Sequence, residues 1–186
     1  MISSFFKNSY GDLLKSIVIS QKPKLVIEYG ILFGYSTINI LEAMKFNGFG
    51  KLISNDMFDE FPFNHAEEKI TLKMFDKIEN VEIRKSNFYN IGLKYETKSL
   101  EDIKKCDILI IDIGNMRKTF EFFVNNIYPV LKTGSMAILE GGSVERDDCY
   151  KLKGYSDESI NDYLKTLLGF RFITFNSFPS ITIFTK

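Results

Sequence analysis

Glu28, Asp56, Asp112 and Glu140 lie far apart in this 186-residue chain, yet each stands at the end of a short apolar run. Carboxylates so placed can accept hydrogen bonds from ligand hydroxyls, hold a positive charge, or take a proton from a nucleophile. Glu28 opens the run Glu28-Tyr29-Gly30-Ile31-Leu32-Phe33-Gly34. Gly30 and Gly34 let the backbone turn sharply and approach a ligand closely, and the first N–H groups of a following helix suit a carboxylate or phosphate. The Gly-x-x-x-Gly spacing departs from the Gly-x-Gly-x-x-Gly of dinucleotide sites, and a tight strand-to-helix turn without any ligand accounts for the same pattern. Asp56 is placed to accept from two ribose hydroxyls; a solvated loop acid is the plain alternative. Glu28 can hold a nearby positive charge, or brace the loop by accepting backbone N–H bonds.

The segment from Glu140 to Tyr150 is dense in polar groups and reads as a long loop. Arg146 there can pair with an anionic substrate, and Glu145 or Asp147 can act as a base, although a charged surface loop needs no function. His65 reads as a surface or capping histidine, Cys106 as a core thiol and Cys149 as a loop thiol. Asp112 and Glu140 offer two hard oxygens to a cation, too few oxygen ligands for a hard cation, so no metal is expected.

Alternating strands and helices must position these groups. After an amphipathic helix near Asp12 to Ser20, Lys24 to Glu28 reads as a buried strand running into the glycine loop. Ser36 and Thr37 open a helix that closes at Asn47-Gly48. Lys51 to Asn55 is a second strand. A helix capped by Asn64 and Glu67 follows, with Ala66, Ile70, Met74 and Ile78 at helical spacing. Val81 to Arg84 is a third strand, Ser99 to Lys105 a short helix, and Ile108 to Ile111 the central strand. A helix burying Phe120, Phe123, Val124, Ile127 and Leu131 leads to the fifth strand, Met136 to Leu139. A helix from Ser156 to Leu168 precedes an antiparallel hairpin, Phe170 to Phe175 and Ile181 to Thr185. The expectation is one α/β domain over residues 1–186, with ligands in the crevice beyond the carboxyl ends of the strands.

Composition narrows the classes. The 24 basic and 24 acidic residues balance, so no overall field draws the chain to nucleic acid or an anionic membrane. No apolar stretch approaches the roughly 20 residues needed to span a bilayer. The two cysteines lack metal-type spacing and the N-terminus lacks a leader pattern, so a reduced, cytoplasmic setting is expected.

Leu25-Val26-Ile27-Glu28-Tyr29-Gly30 through Gly34-Tyr35-Ser36-Thr37 resembles the first motif of class I S-adenosylmethionine-dependent methyltransferases. Asp56 resembles the family's ribose-binding acid, and Asn87 and Phe88 fall where the adenine is held. Ile110-Ile111-Asp112, Leu131-Lys132-Thr133-Gly134 and the closing hairpin resemble the fourth-strand region, the turn into the fifth strand and the family's antiparallel strand. The resemblance implies a Rossmann-like, mostly parallel seven-stranded sheet of order 3-2-1-4-5-7-6. It implies cofactor contacts from Glu28, Tyr29, Gly30, Gly34, Ser36, Asp56, Asn87, Phe88 and Asp112; Asp112, with Glu140 and Glu145 by their place after the fifth strand, are the candidate catalytic residues. The activity implied is methyl transfer from S-adenosylmethionine to a small molecule at oxygen, as in the small-molecule O-methyltransferases. A binding domain without independent transfer is the alternative. Leu32 stands where the family has a small residue, Asn87 where it has Asp, and Asn115 where it has His. With little room for a substrate domain, a second copy or a partner subunit is expected to close the pocket.

Overall fold

Val26, Leu52, Ile108, Ile110 and Ile138 point to one side of a sheet, and Ile27, Ile53, Leu109, Ile111, Ala137 and Leu139 to the other. Strands apolar on both faces are stable only between two layers of helices. The computed structural model describes residues 10–60, 65–93, 97–114, 116–147, 158–176 and 180–186. Its strands are β1 (Leu25–Tyr29), β2 (Lys51–Asp56), β3 (Val81–Lys85), β4 (Ile108–Ile111), β5 (Met136–Glu140), β6 (Arg171–Phe175) and β7 (Ile181–Thr185). They form one seven-stranded sheet in the order 3-2-1-4-5-7-6. β7 runs antiparallel to both β5 and β6, and the remaining pairs are parallel. The expected architecture and strand order hold.

Around the sheet lie α1 (Gly11–Gln21), α2 (Tyr35–Asn47), α3 (Glu68–Phe75), α4 (Thr97–Ile103), α5 (Arg117–Phe122) and α6 (Ile160–Thr166). Leu14 and Val18 of α1 join Ile40, Leu41 and Met44 of α2 in the core on one face. Phe120, Phe123, Val124, Ile127 and Leu131 are buried on the other, as their spacing predicts.

Three elements differ from expectation. The segment after β4 is not one α-helix. α5 ends at Phe122, widens into a π-turn over Phe123–Ile127 and tightens into a 3₁₀ turn over Tyr128–Val130. Pro129, which lacks an N–H, ends the regular ladder there. α3 begins only at Glu68, with Glu67 as its cap, and turns Thr71 and Phe75 inward while Ile70 and Met74 are exposed. α3 is thus a short peripheral helix that starts several residues later than expected and packs on a different face; Asn64 lies outside the described residues. Ser36 and Thr37 do not cap α2. Gly34, at φ 72°, occupies the cap position, so both hydroxyls fall within the first turn. Ser156 also lies outside the described residues, and the last helix is described from Ile160.

No helix among the described residues is long and apolar enough to cross a membrane.

Candidate active site

The carboxyl ends of β1, β2, β4 and β5 bring Glu28, Asp56, Asp112 and Glu140 to one edge of the sheet. The loop between β1 and α2 is held there by its own glycines and by Asp56. Gly30 takes φ 99°, and its N–H donates to the Asn55 carbonyl at 2.8 Å. A Cβ on Gly30 would lie 2.0 Å from the Asp112 carbonyl oxygen, so the ends of β1 and β4 meet backbone to backbone. Leu32 adopts φ 45°, the conformation a glycine takes freely, at about 1–2 kcal/mol for an L-residue. The loop thus keeps its left-handed bend without the usual small residue.

Asp56 stabilises that bend directly. Its Oδ2 accepts from the N–H groups of Ile31 (2.7 Å) and Leu32 (3.3 Å), and Oδ1 accepts from Phe58 N–H at 2.8 Å. The carboxylate expected to wait for ribose hydroxyls spends three of its roughly four acceptor positions on backbone.

Glu28 is fully buried. It accepts from side-chain hydroxyls instead of the backbone N–H groups expected: Thr37 at 2.7 Å and Ser54 at 2.6 Å, both on Oε2. Burial pushes its carboxyl up to about 6, against the hydroxyls of Ser36, Ser54 and Thr37, which favour the ionised form. Because the folded value lies above the ordinary 4.5, the stabilising contribution is complete below about pH 4.5. It is lost as pH rises through about 6, and burying the ion at pH 8 costs about 2 kcal/mol. Glu28→Gln is therefore expected to raise the melting temperature at pH 8 by about 4–8 °C and to leave it little changed at pH 4.5. Thermal melts of the two proteins at both pH values check this; an equal shift at each pH would contradict it.

Tyr29 and Phe88, expected at the ligand, have their side chains in the core, with rings 5.2 Å apart edge to face. Strand alternation turns Tyr29 away from the crevice, and Phe88 packs further on Tyr89 and Phe122. Asn87 stays partly exposed, but its Oδ1 accepts from Tyr89 N–H at 3.0 Å, capping the 3₁₀ turn Phe88–Asn90. Its NH₂ group and one remaining acceptor position on Oδ1 are left for a ligand.

After β5 the expected roles redistribute. Arg146 is 4% exposed and donates from Nη2 to Glu140 Oε1 at 2.9 Å, so its charge serves an internal ion pair and not an anionic substrate. Asp147, a candidate base, instead caps α6: it accepts from Ile160 N–H (3.1 Å), Asn161 N–H (2.8 Å) and the Ser159 hydroxyl (2.7 Å). Glu145 is exposed on the same helical turn. Asn115 and Cys149 lie outside the described residues. His65 is a surface residue 3.7 Å from Asp59. Cys106 is buried, and desolvation pushes its thiol up to about 12, which makes it inert. Among the described residues, no group of three or more His, Cys, Asp or Glu could hold a metal ion. A cavity of about 380 Å³ opens at the opposite edge of the sheet, beside Pro23, Asp107 and Met136, and contains none of these residues.

One residue at the site had no signal in the spacing. The Tyr10 hydroxyl donates to Asp112 Oδ2 across 102 positions of sequence. Burial, then the charges of Asp112, Glu140 and Glu28, raise its pKa well above the ordinary value, so it remains a donor throughout the physiological range. Ser54, which holds Glu28 from β2, was likewise unforeseen, and Thr37 was read as a helix opener and not as a partner of Glu28.

A family model described as a methyltransferase domain matches residues 27–140, from the middle of β1 to the end of β5. The chain belongs to this methyltransferase family. No curated protein sequence matches it. Among solved structures, a Podospora anserina methyltransferase bound to S-adenosylhomocysteine is similar with TM-score 0.63 at 12% identity, over 99% of this chain and 79% of that one. The O-methyltransferase TomG from Streptomyces achromogenes, involved in tomaymycin synthesis and solved with S-adenosylmethionine, is similar with TM-score 0.62 at 14% identity, over 94% and 78%. A Geobacter sulfurreducens methyltransferase gives 0.61 at 16% identity, over 100% and 82%.

The methyltransferase's donor set suits an adenosyl amino acid. α2 has no side-chain cap, so its first N–H groups suit a carboxylate; Asp56 retains acceptor capacity for a hydroxyl, Asn87 an amide donor, and Asp112 a carboxylate oxygen for a cation.

Proposed function

We propose that this chain uses S-adenosylmethionine to methylate a small molecule at oxygen. The observation that carries this reading is the meeting of Glu28, Asp56 and Asp112 at the sheet edge beside the uncapped N-terminus of α2, within the segment that matches the methyltransferase family. The O-methyltransferase TomG, with the same fold, supports oxygen as the acceptor atom.

When bound, the cofactor supplies an electrophilic methyl group on a sulfonium. The chain's residues then have simple tasks. The loop from Gly30 to Gly34 and the start of α2 bind the amino-acid end, and Asp56 and Asn87 face the nucleoside. Asp112 and Glu28 surround the positive charge with carboxylates. An acceptor hydroxyl entering the crevice needs alignment with the methyl group, exclusion of water and a carboxylate to take its proton. Glu140 and the exposed Glu145 complete the set of candidate catalytic acids.

The second reading, a domain that binds S-adenosylmethionine without transferring its methyl group, draws on Glu140 being engaged by Arg146 and on Asp147 being engaged by α6. Calorimetric titration with S-adenosylmethionine, with NAD as control, tests binding. Release of S-adenosylhomocysteine in the presence of a panel of hydroxylated small molecules separates the two readings. Tight binding with no turnover across the panel would favour the second, and no binding at millimolar concentration would overturn both.

A further inference from the structure

The first helix contributes a side chain to the site. Tyr10 precedes α1, and its carbonyl accepts from Leu14 N–H at 2.9 Å. Its side chain does not cap the helix; the hydroxyl instead reaches Asp112. α1 is a fixed support for it. Leu14 and Val18 are buried with α2, and a Cβ on Gly11 would lie 2.5 Å from the Tyr35 ring and 2.7 Å from Asn39 Nδ2. The start of α1 thus lies against the Tyr35 and Asn39 side chains at the start of α2. The same approach delivers Tyr10 to the end of β4. The groups around the hydroxyl are Asp112 of the β4 edge, Glu140 of the β5 edge and Glu28 of β1; Arg146, following β5, is bonded to Glu140.

We propose that Tyr10 is a positioning residue: its hydroxyl fixes Asp112 through Oδ2, so that the carboxylate keeps Oδ1 and its negative charge directed to the cationic sulfur of a bound S-adenosylmethionine. This inference rests on the proposed function. Among the described residues, Tyr10 is the donor that bonds the Asp112 side chain. A carboxylate with one oxygen fixed loses one rotational freedom before the ligand arrives, and a neutral phenol among three acids holds it without cancelling its charge.

S-adenosylmethionine and S-adenosylhomocysteine differ by the methyl group and by the positive charge on sulfur. Titration of the full chain with each ligand therefore separates positioning from general support. Tyr10→Phe keeps the ring and removes the hydroxyl. It is expected to weaken S-adenosylmethionine about tenfold while S-adenosylhomocysteine changes less than about twofold. Asp112→Asn is expected to reduce the same preference, and adding Tyr10→Phe to it is expected to change the preference no further. An equal loss for both ligands would make Tyr10 merely structural, and tighter S-adenosylmethionine binding would make it a competitor; either overturns the inference. If Tyr10→Phe does not fold, an unchanged preference in Asp112→Asn overturns it as well. Failure of the wild-type chain to bind either ligand is a different result, which removes the proposed function itself.

Discussion

Gly30→Ala is expected to lower the melting temperature of the unliganded protein by about 10 °C. Two effects add. An L-residue at φ 99° carries about 1–2 kcal/mol of backbone strain, and the new methyl would stand 2.0 Å from the Asp112 carbonyl oxygen, where no flexible side chain can move aside. Separating β1 from β4 to make room stretches the hydrogen bond from Asp112 N–H to the Tyr29 carbonyl, now 2.8 Å. Together these come to roughly 4 kcal/mol, and for a chain of this length each kcal/mol corresponds to about 2–4 °C. Gly134→Ala is the control: φ is again positive, at 86°, but a Cβ there meets nothing within 4 Å, so the strain acts alone. Its expected loss is about 3–5 °C. Equal losses in thermal melts of the two variants would refute the close approach of β1 and β4.

Arg146→Met is the second large change. Arg146 and Glu140 are 4% and 7% exposed, and removing the cation strips a buried carboxylate of its counter-charge. Breaking a buried pair from one side costs about 3–5 kcal/mol, whereas replacing both partners with apolar groups of similar volume is often neutral or stabilising. Arg146→Met is thus expected to lower the denaturation midpoint in guanidinium strongly, and adding Glu140→Leu to restore most of the loss. A double variant no more stable than Arg146→Met would show that Glu140 has a structural role beyond the pair. Because Glu140 also faces Tyr10, the double variant further reports whether this acid is needed for turnover.

The fold was legible because the sheet is buried on both faces. Runs such as Ile108 to Ile111 can hardly be anything but central strands, and the antiparallel hairpin followed from the short link between its two strands. α3 was misread for a physical reason: on a short peripheral helix, apolar residues such as Ile70 and Met74 need not face inward, so their periodicity misleads about orientation. The positions of the site acids were legible because strand ends are fixed by strand lengths. Their partners were not. Asp56 turned to backbone N–H groups, Asn87 to Tyr89, and Asp147 to α6, all local choices of hydrogen bond that composition does not encode. Tyr10 lay beyond reach because its contact with Asp112 depends on how α1 packs, a long-range property without local signature.

The placement of β7 between β5 and β6 has a bearing on how the molecule opens. Among the described residues, β6 joins the sheet through its ladder with β7, and β5–β7 is the seam between the parallel strands and the hairpin. That seam continues into the turn after β5: Gly141 N–H donates to the Ser180 carbonyl at 2.7 Å, and the Thr182 hydroxyl donates to the Gly141 carbonyl at 2.8 Å. Opening that seam would release the corner that carries Glu140 and Arg146 only by exposing Ile181, Ile183 and Phe184, so it is expected to open with the core and not before it. The corner that carries Glu140 and Arg146 is thereby tied to the stability of the whole domain, through a strand whose side chains Ile181, Ile183 and Phe184 belong to the core on both faces of the sheet.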